Sequence, residues 1–185
     1  MNITVFGGSQ PKPGEPAYLE AMQLGTLLGK AGHSVLTGGY IGVMEAVSRG
    51  AAEAGGHVVG VTCDEIEVWR STHANHWVQE EWHFPTLRER LSALIDHCQV
   101  AVALPGGVGT LVEIGLTWNL LIVKALSPRP LILIGPGWKN TFDAFYDNLG
   151  TYVAHPDRLW ITFAATIEEA MKTIENCESR EQIHS

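Results

Sequence analysis

Apolar residues follow two rhythms along this chain. ITVF at the start, then segments 33–39, 57–62, 99–107, 130–135 and 158–164, are short and almost continuously apolar. Uninterrupted runs of this length suit strands that are buried on both faces, as in a parallel sheet. Between them lie segments with apolar residues three and four apart, at 15–31, 42–55, 85–97, 109–126, 138–150 and 166–176. The first shows the helical period at Tyr18, Met22, Leu24, Leu27 and Leu28, and the second closes on Gly55 and Gly56, a common helix stop. Pro85 is expected in the first turn of its helix, where a missing N–H costs least. Strand and helix alternate throughout, which predicts an α/β fold with a mostly parallel sheet covered on both faces. Segment 63–84 is less regular and predicts only a short strand at WVQEEW. One domain over 1–177 is expected, followed by a polar, mobile tail over 178–185.

Three glycine-rich loops change the picture. FGGSQ (6–10), TGGYIG (37–42) and LPGGVGT (104–110) each follow a strand, so each falls on the carboxyl edge of the sheet. In such folds ligands bind where strand ends meet helix starts, and free N–H groups there attract anions. Candidate ligand contacts are therefore Gly8, Ser9, Gly38, Gly39, Gly106, Gly107, Gly109 and Thr110. No loop matches G-x-G-x-x-G or carries the G-K-[ST] of a P-loop, so neither a standard NAD site nor an ATPase is indicated. Glu113 stands in the first turns of the helix that opens at the third loop. A carboxylate there repels a bound phosphate but suits a sugar whose anomeric carbon becomes positive as a glycosidic bond breaks. Glu45 opens a helix on the same edge and is either a second site acid or a solvated helix residue.

Composition narrows the field further. The 185 residues carry a formal charge of −8, which argues against a nucleic-acid surface but leaves room for a small anionic ligand in a locally positive site. Cys63, Cys98 and Cys177 are odd in number and far apart, so free thiols in a reducing compartment are expected. No basic, apolar leader precedes the first strand and no apolar run reaches membrane-spanning length. A cytoplasmic protein without a membrane partner is expected.

PGGVGTLVE (105–113) resembles the P-G-G-x-G-T-x-x-E signature of the Lonely Guy (LOG) family. TGGYIGVMEAVSRGA (37–51) is similar to that family's T-G-G-G-x-G-x-M-E-A-x-x-R-G-A element, and TWNLL (117–121) to its T-W-x-Q-L continuation. The resemblance runs through roughly residues 1–135. It implies a Rossmann-like three-layer sandwich, a nucleoside 5′-monophosphate substrate and hydrolysis to free base and ribose 5-phosphate, with neither metal nor redox cofactor. It also implies that Arg90 and Glu113 are catalytic. The family's arginine is followed by lysine, whereas Leu91 stands here, and Tyr40 and Ile41 replace smaller loop residues. The fold equally resembles carriers of a phosphate-bearing pterin, the molybdenum cofactor, so a binding protein without turnover is the alternative. Lysine decarboxylation is not indicated, since Lys124 lies well down its helix.

Two features stay open. His73, His76 and His83 lie among Trp69, Trp77 and Trp82, but H-E-x-x-H is absent and a metal site is not expected. The tryptophans suit either a base pocket or a subunit interface. The helix bearing Glu113 is apolar nearly all round, at Leu116, Trp118, Leu120, Leu121, Ile122 and Val123, which together with the family resemblance predicts a homodimer or higher oligomer.

Overall fold

The computed structural model describes residues 1–178 in full and the helical backbone on to His184. Its strands are β1 (Asn2–Phe6), β2 (Ser34–Thr37), β3 (Val58–Cys63), β4 (Glu80–Phe84), β5 (Val100–Ala103), β6 (Leu131–Ile134) and β7 (Ile161–Ala164). They form one sheet in the order β4-β3-β2-β1-β5-β6-β7, with every neighbouring pair parallel. The helices are α1 (Pro16–Lys30), α2 (Val43–Glu53), α3 (Asp64–Arg70), α4 (Leu87–Asp96), α5 (Val108–Ile122), α6 (Pro136–Leu149), α7 (His155–Arg158) and α8 (Ile167–His184).

The strand alternation sorts side chains into two cores. On β1, Ile3 and Val5 face α1, α2 and α8, while Phe6 joins α4, α5 and α6 on the other side. Leu24, Leu28, Val47 and Ile174 fill the first core, and Leu94, Ile114, Leu121 and Trp138 the second. The result is the expected Rossmann-like three-layer arrangement. Strand order reverses direction between β1 and β5, so the loops after these strands flank a crevice.

Three departures from the sequence reading have physical causes. Helix α3 arises within the segment read as irregular. It buries none of its residues and so has no apolar period to detect; Asp64, Glu65 and Glu67 complement its amino end, and Ser71, at φ 49°, stops it in the left-handed region. The edge strand forms at Glu80–Phe84, slightly beyond WVQEEW. Helix α4 begins at Leu87 because Thr86 caps it reciprocally with Glu89; Pro85 precedes that cap instead of lying in the first turn. Beyond Glu178, the polar tail lies outside the residues described in full. Among the described residues no helix is long and apolar enough to cross a membrane. Cys63 and Cys98 are buried free thiols.

Candidate active site

The three glycine loops meet at the switch point. The Gly8 N–H donates to the Pro105 carbonyl at 3.1 Å, and the Val43 N–H donates to the Gly8 carbonyl at 2.9 Å. A Cβ on Gly106 would lie 2.2 Å from Thr110 Oγ1 and 2.9 Å from the Gly8 nitrogen, and Gly42, at φ 73°, passes against Gly8 and Ser9 just as closely. These glycines let loops from β1, β2 and β5 interlock. Gly106→Ala is therefore expected to cost about 1–3 kcal/mol by overpacking, read as a lowered midpoint in urea unfolding. An unchanged midpoint would mean that the loops do not lock.

Beside this junction lies a cleft of about 680 Å³. Its lining includes Gly8, Ser9, Gly107, Gly109 and Thr110 together with Arg90 and Glu113. No side-chain or backbone atom would obstruct a Cβ at Gly107 or Gly109. The first-turn N–H groups of α5 have no intrahelical acceptor, and the backbone at Gly107 and Gly109 borders the cleft, which suits an anion. Thr110 is buried on the row Thr110, Ile114, Thr117, Leu121 that seats α5 on the sheet. That row is the fully buried side of α5, and the remaining apolar positions are partly or wholly exposed in the single chain.

Arg90 comes from the buried side of α4 and is 4% exposed. Its Nε donates to the Val61 carbonyl at 2.7 Å and its Nη2 to the Gly38 carbonyl at 3.2 Å. The Tyr40 ring lies 5.6 Å from its guanidinium carbon. Among the described residues, Arg and Lys ion pairs are Arg49–Glu53 and Lys139–Asp143, so the buried Arg90 charge has no carboxylate partner within 4.0 Å. Its Nη1 group makes no hydrogen bond to the described residues. Such a charge is costly unless an anion completes it. Half-buried Glu113 shares the cleft; burial pushes its carboxyl up to about 7, against the opposing pull of Arg90.

The remaining candidates play other parts. Gly38 makes room for Arg90, because a Cβ there would lie 2.0 Å from Nη2. Gly39, at φ 76°, packs on Thr62 and Gly60. Neither lines the cleft, and Gly106 is spent on the loop junction. Gly8 lines the cleft, but its N–H is already engaged. Glu45 lies in an adjoining hollow and accepts from the Tyr18 hydroxyl at 3.2 Å; Arg49 pairs with Glu53 and not with Glu45.

Tyr40, Leu91 and Trp69, singled out in the sequence, line the cleft, whereas Trp77 and Trp82 do not; Ile66 was not singled out. Tyr40 is buried, with its hydroxyl donating to the Cys63 carbonyl and accepting from the Cys63 N–H, and burial pushes that hydroxyl up to about 12. Ile66 and Trp69 of α3 complete the wall with Leu87 and Leu91. Ile66 had no signal in the sequence, because α3 buries none of its residues.

The histidines separate. His83 Nε2 faces Asp64 at 2.8 Å, and its Nδ1 faces Thr62, with Glu81 and Glu67 further out. Glu67, Glu81 and His83 offer ligand atoms within 4.8 Å of one another, and this is the grouping of that kind among the described residues. His73 bonds Glu67 and His76 stacks on Trp77, so the H-x-x-H pair does not converge. These contacts tie α3 to the sheet edge.

Parallel topology, the switch-point cleft and the loop sequences define a Rossmann-like α/β protein of the kind suggested by the glycine-loop signatures. The chain belongs to the SLOG cluster4 family, whose pattern matches residues 1–127, and so to the LOG-like proteins. It is 30% identical over 182 residues to a probable cytokinin riboside 5′-monophosphate phosphoribohydrolase of Oryza sativa subsp. japonica, an alignment covering 94% of this chain and 71% of that protein. It is also 30% identical over 188 residues to the pyrimidine/purine nucleotide 5′-monophosphate nucleosidase of Escherichia coli K12, covering 92% of this chain and 40% of that longer protein. Among solved structures, the molybdenum cofactor binding protein of Rippkaea orientalis superposes with a TM-score of 0.74 at 24% identity, covering 95% of this chain and 96% of that one, and so shares the fold.

Proposed function

We propose that this protein hydrolyses the N-glycosidic bond of a nucleoside 5′-monophosphate, releasing free base and ribose 5-phosphate. The observation that carries the reading is the buried, carboxylate-free Arg90 opposite Glu113 in one cleft. The names of the relatives support the same reaction class.

In this reading the phosphate rests on the first turn of α5, at Gly107, Gly109 and Thr110, with Ser9 beside it. The open Nη1 donors of Arg90 complete the anion site. Glu113 then lies by the ribose. Its carboxylate takes a proton from water as the oxygen attacks C1′, the C1′–N bond breaks with its electron pair going to the base, and the proton passes to the leaving nitrogen. A group titrating near 7 suits both the taking and the giving.

The protein is further proposed to act in the cytoplasm as a homodimer. The exposed apolar side chains Val108, Leu111 and Val112 of α5, the first and last of which line the cleft, favour a second copy there. Sedimentation equilibrium is expected to give twice the chain mass, and Leu111→Glu to shift the protein to monomer; a monomeric wild type overturns this part.

Leu91, which lines the cleft where the family pattern has lysine, favours a second reading: a carrier that binds and does not turn over. Release of free base from AMP, GMP, CMP and an N6-isopentenyl adenosine monophosphate separates the two. Free base from any of them supports the hydrolase; binding without base from all four supports the carrier.

A further inference from the structure

The cleft does not end at its phosphate site. A second hollow of about 710 Å³ adjoins it, and Ser9, Gln10, Trp69 and Arg70 line both. Each is within the range of a small-molecule site, so together they offer more room than one mononucleotide fills.

The lining of the second hollow has a distinct chemistry. Lys12 and Arg70 are its cations, and Glu45 is its one carboxylate. Neither cation has a carboxylate partner among the described residues, in a chain where acids outnumber bases by 20 to 12. Arg70 stacks instead on Trp69, its guanidinium carbon 4.7 Å from the ring centroid, and that indole is 73% exposed. Stacking fixes the plane of the guanidinium and leaves its N–H edge for an acceptor. The Tyr18 hydroxyl holds Glu45 at 3.2 Å, so the one negative group in the hollow is fixed as well. The shared boundary at Ser9 and Gln10 is next to the first turn of α5, where the 5′-phosphate rests in the reading above.

From this arrangement we infer that the joined hollows bind a nucleoside 5′-diphosphate, the first phosphate on α5 and Arg90, the second between Lys12 and Arg70. This rests on the mononucleotide reading and extends it in the direction of the phosphate. Glu45 limits the extension: it opposes a third phosphate by like-charge repulsion.

Isothermal titration of the full chain carrying Glu113→Gln, which slows turnover, with AMP, ADP and ATP tests the inference. ADP is expected to bind about tenfold more tightly than AMP, one charge-assisted contact's worth, and ATP no more tightly than ADP. The exposed Lys12→Ala, Arg70→Ala double variant is expected to bring the ADP-to-AMP affinity ratio down to about 1–2, read within the variant, and Glu45→Gln to raise ATP above ADP. AMP bound with no gain for ADP overturns the inference and leaves the hydrolase standing. An ADP preference that survives the double variant also overturns it. If AMP is neither bound nor cleaved, both readings fall.

Discussion

Glu113→Gln is expected to lower kcat by about 10²–10⁴-fold while making the fold more stable at alkaline pH. The two effects share one cause. The folded carboxyl titrates at about 7, raised from an ordinary 4.5 by burial. A raised folded pKa favours the protonated form, so its contribution to stability is fully present below about 4.5 and is lost as pH rises through about 7. At pH 8 the wild type therefore holds an unfavourable charge that the amide lacks. The variant should gain roughly 1–3 kcal/mol there and nothing at pH 4, measured as urea midpoints at the two values. The kcat/KM of the wild type should rise with pH to a plateau above about 7, since the ionised carboxylate accepts the proton from water. A variant that is inactive but no more stable at pH 8 would mean that Glu113 acts without being a buried charge. A stable and fully active variant would remove it from the mechanism.

Arg90→Ala carries the second large effect. The guanidinium holds the Val61 and Gly38 carbonyls and presents its remaining donors to the cleft. Removing it should cost about 10²–10³-fold in kcat/KM, the size of one preorganised charge contact to the reacting group. Arg90→Lys should recover only part of this, because one ammonium cannot reproduce the planar fork that spans both carbonyls and the ligand. Gly38→Ala should resemble Arg90→Ala in activity without touching ligand, since its Cβ would displace Nη2. Activity within a fewfold of wild type for Arg90→Ala, with the protein folded by circular dichroism, would take the arginine out of the site.

Much of this site is legible in the sequence, and the rest is not for definite reasons. The β-runs are nearly all apolar because both faces of each central strand are buried, so strand, helix and parallel sheet follow from pattern alone. The glycine loops point to the right edge because they follow strands. Their division of labour does not show: Gly107 and Gly109 stay open for a ligand, whereas Gly38 and Gly106 serve Arg90 and Thr110, and only the tertiary approach tells them apart. The stripe Leu87, Leu91 and Leu94 puts Arg90 at the edge of the buried face of its helix, and at 4% exposure it is more deeply buried than that position suggests. Helix α3 escaped detection altogether, having no buried face, yet it supplies Ile66, Trp69 and Arg70 to the cleft wall. Glu45 sits on the expected edge but in the adjoining hollow, where the Tyr18 hydroxyl holds it.

The central claim is that the bond broken is C1′–N and not an ester of the phosphate. Phosphorus NMR of AMP incubated with the wild-type protein tests it in one measurement. The nucleotide resonance is expected to give way to that of ribose 5-phosphate, with adenine released in equal amount and both products formed about 10²–10⁴-fold more slowly by Glu113→Gln. Inorganic phosphate with adenosine as the products, or a nucleotide spectrum unchanged across the whole panel of monophosphates, would contradict it.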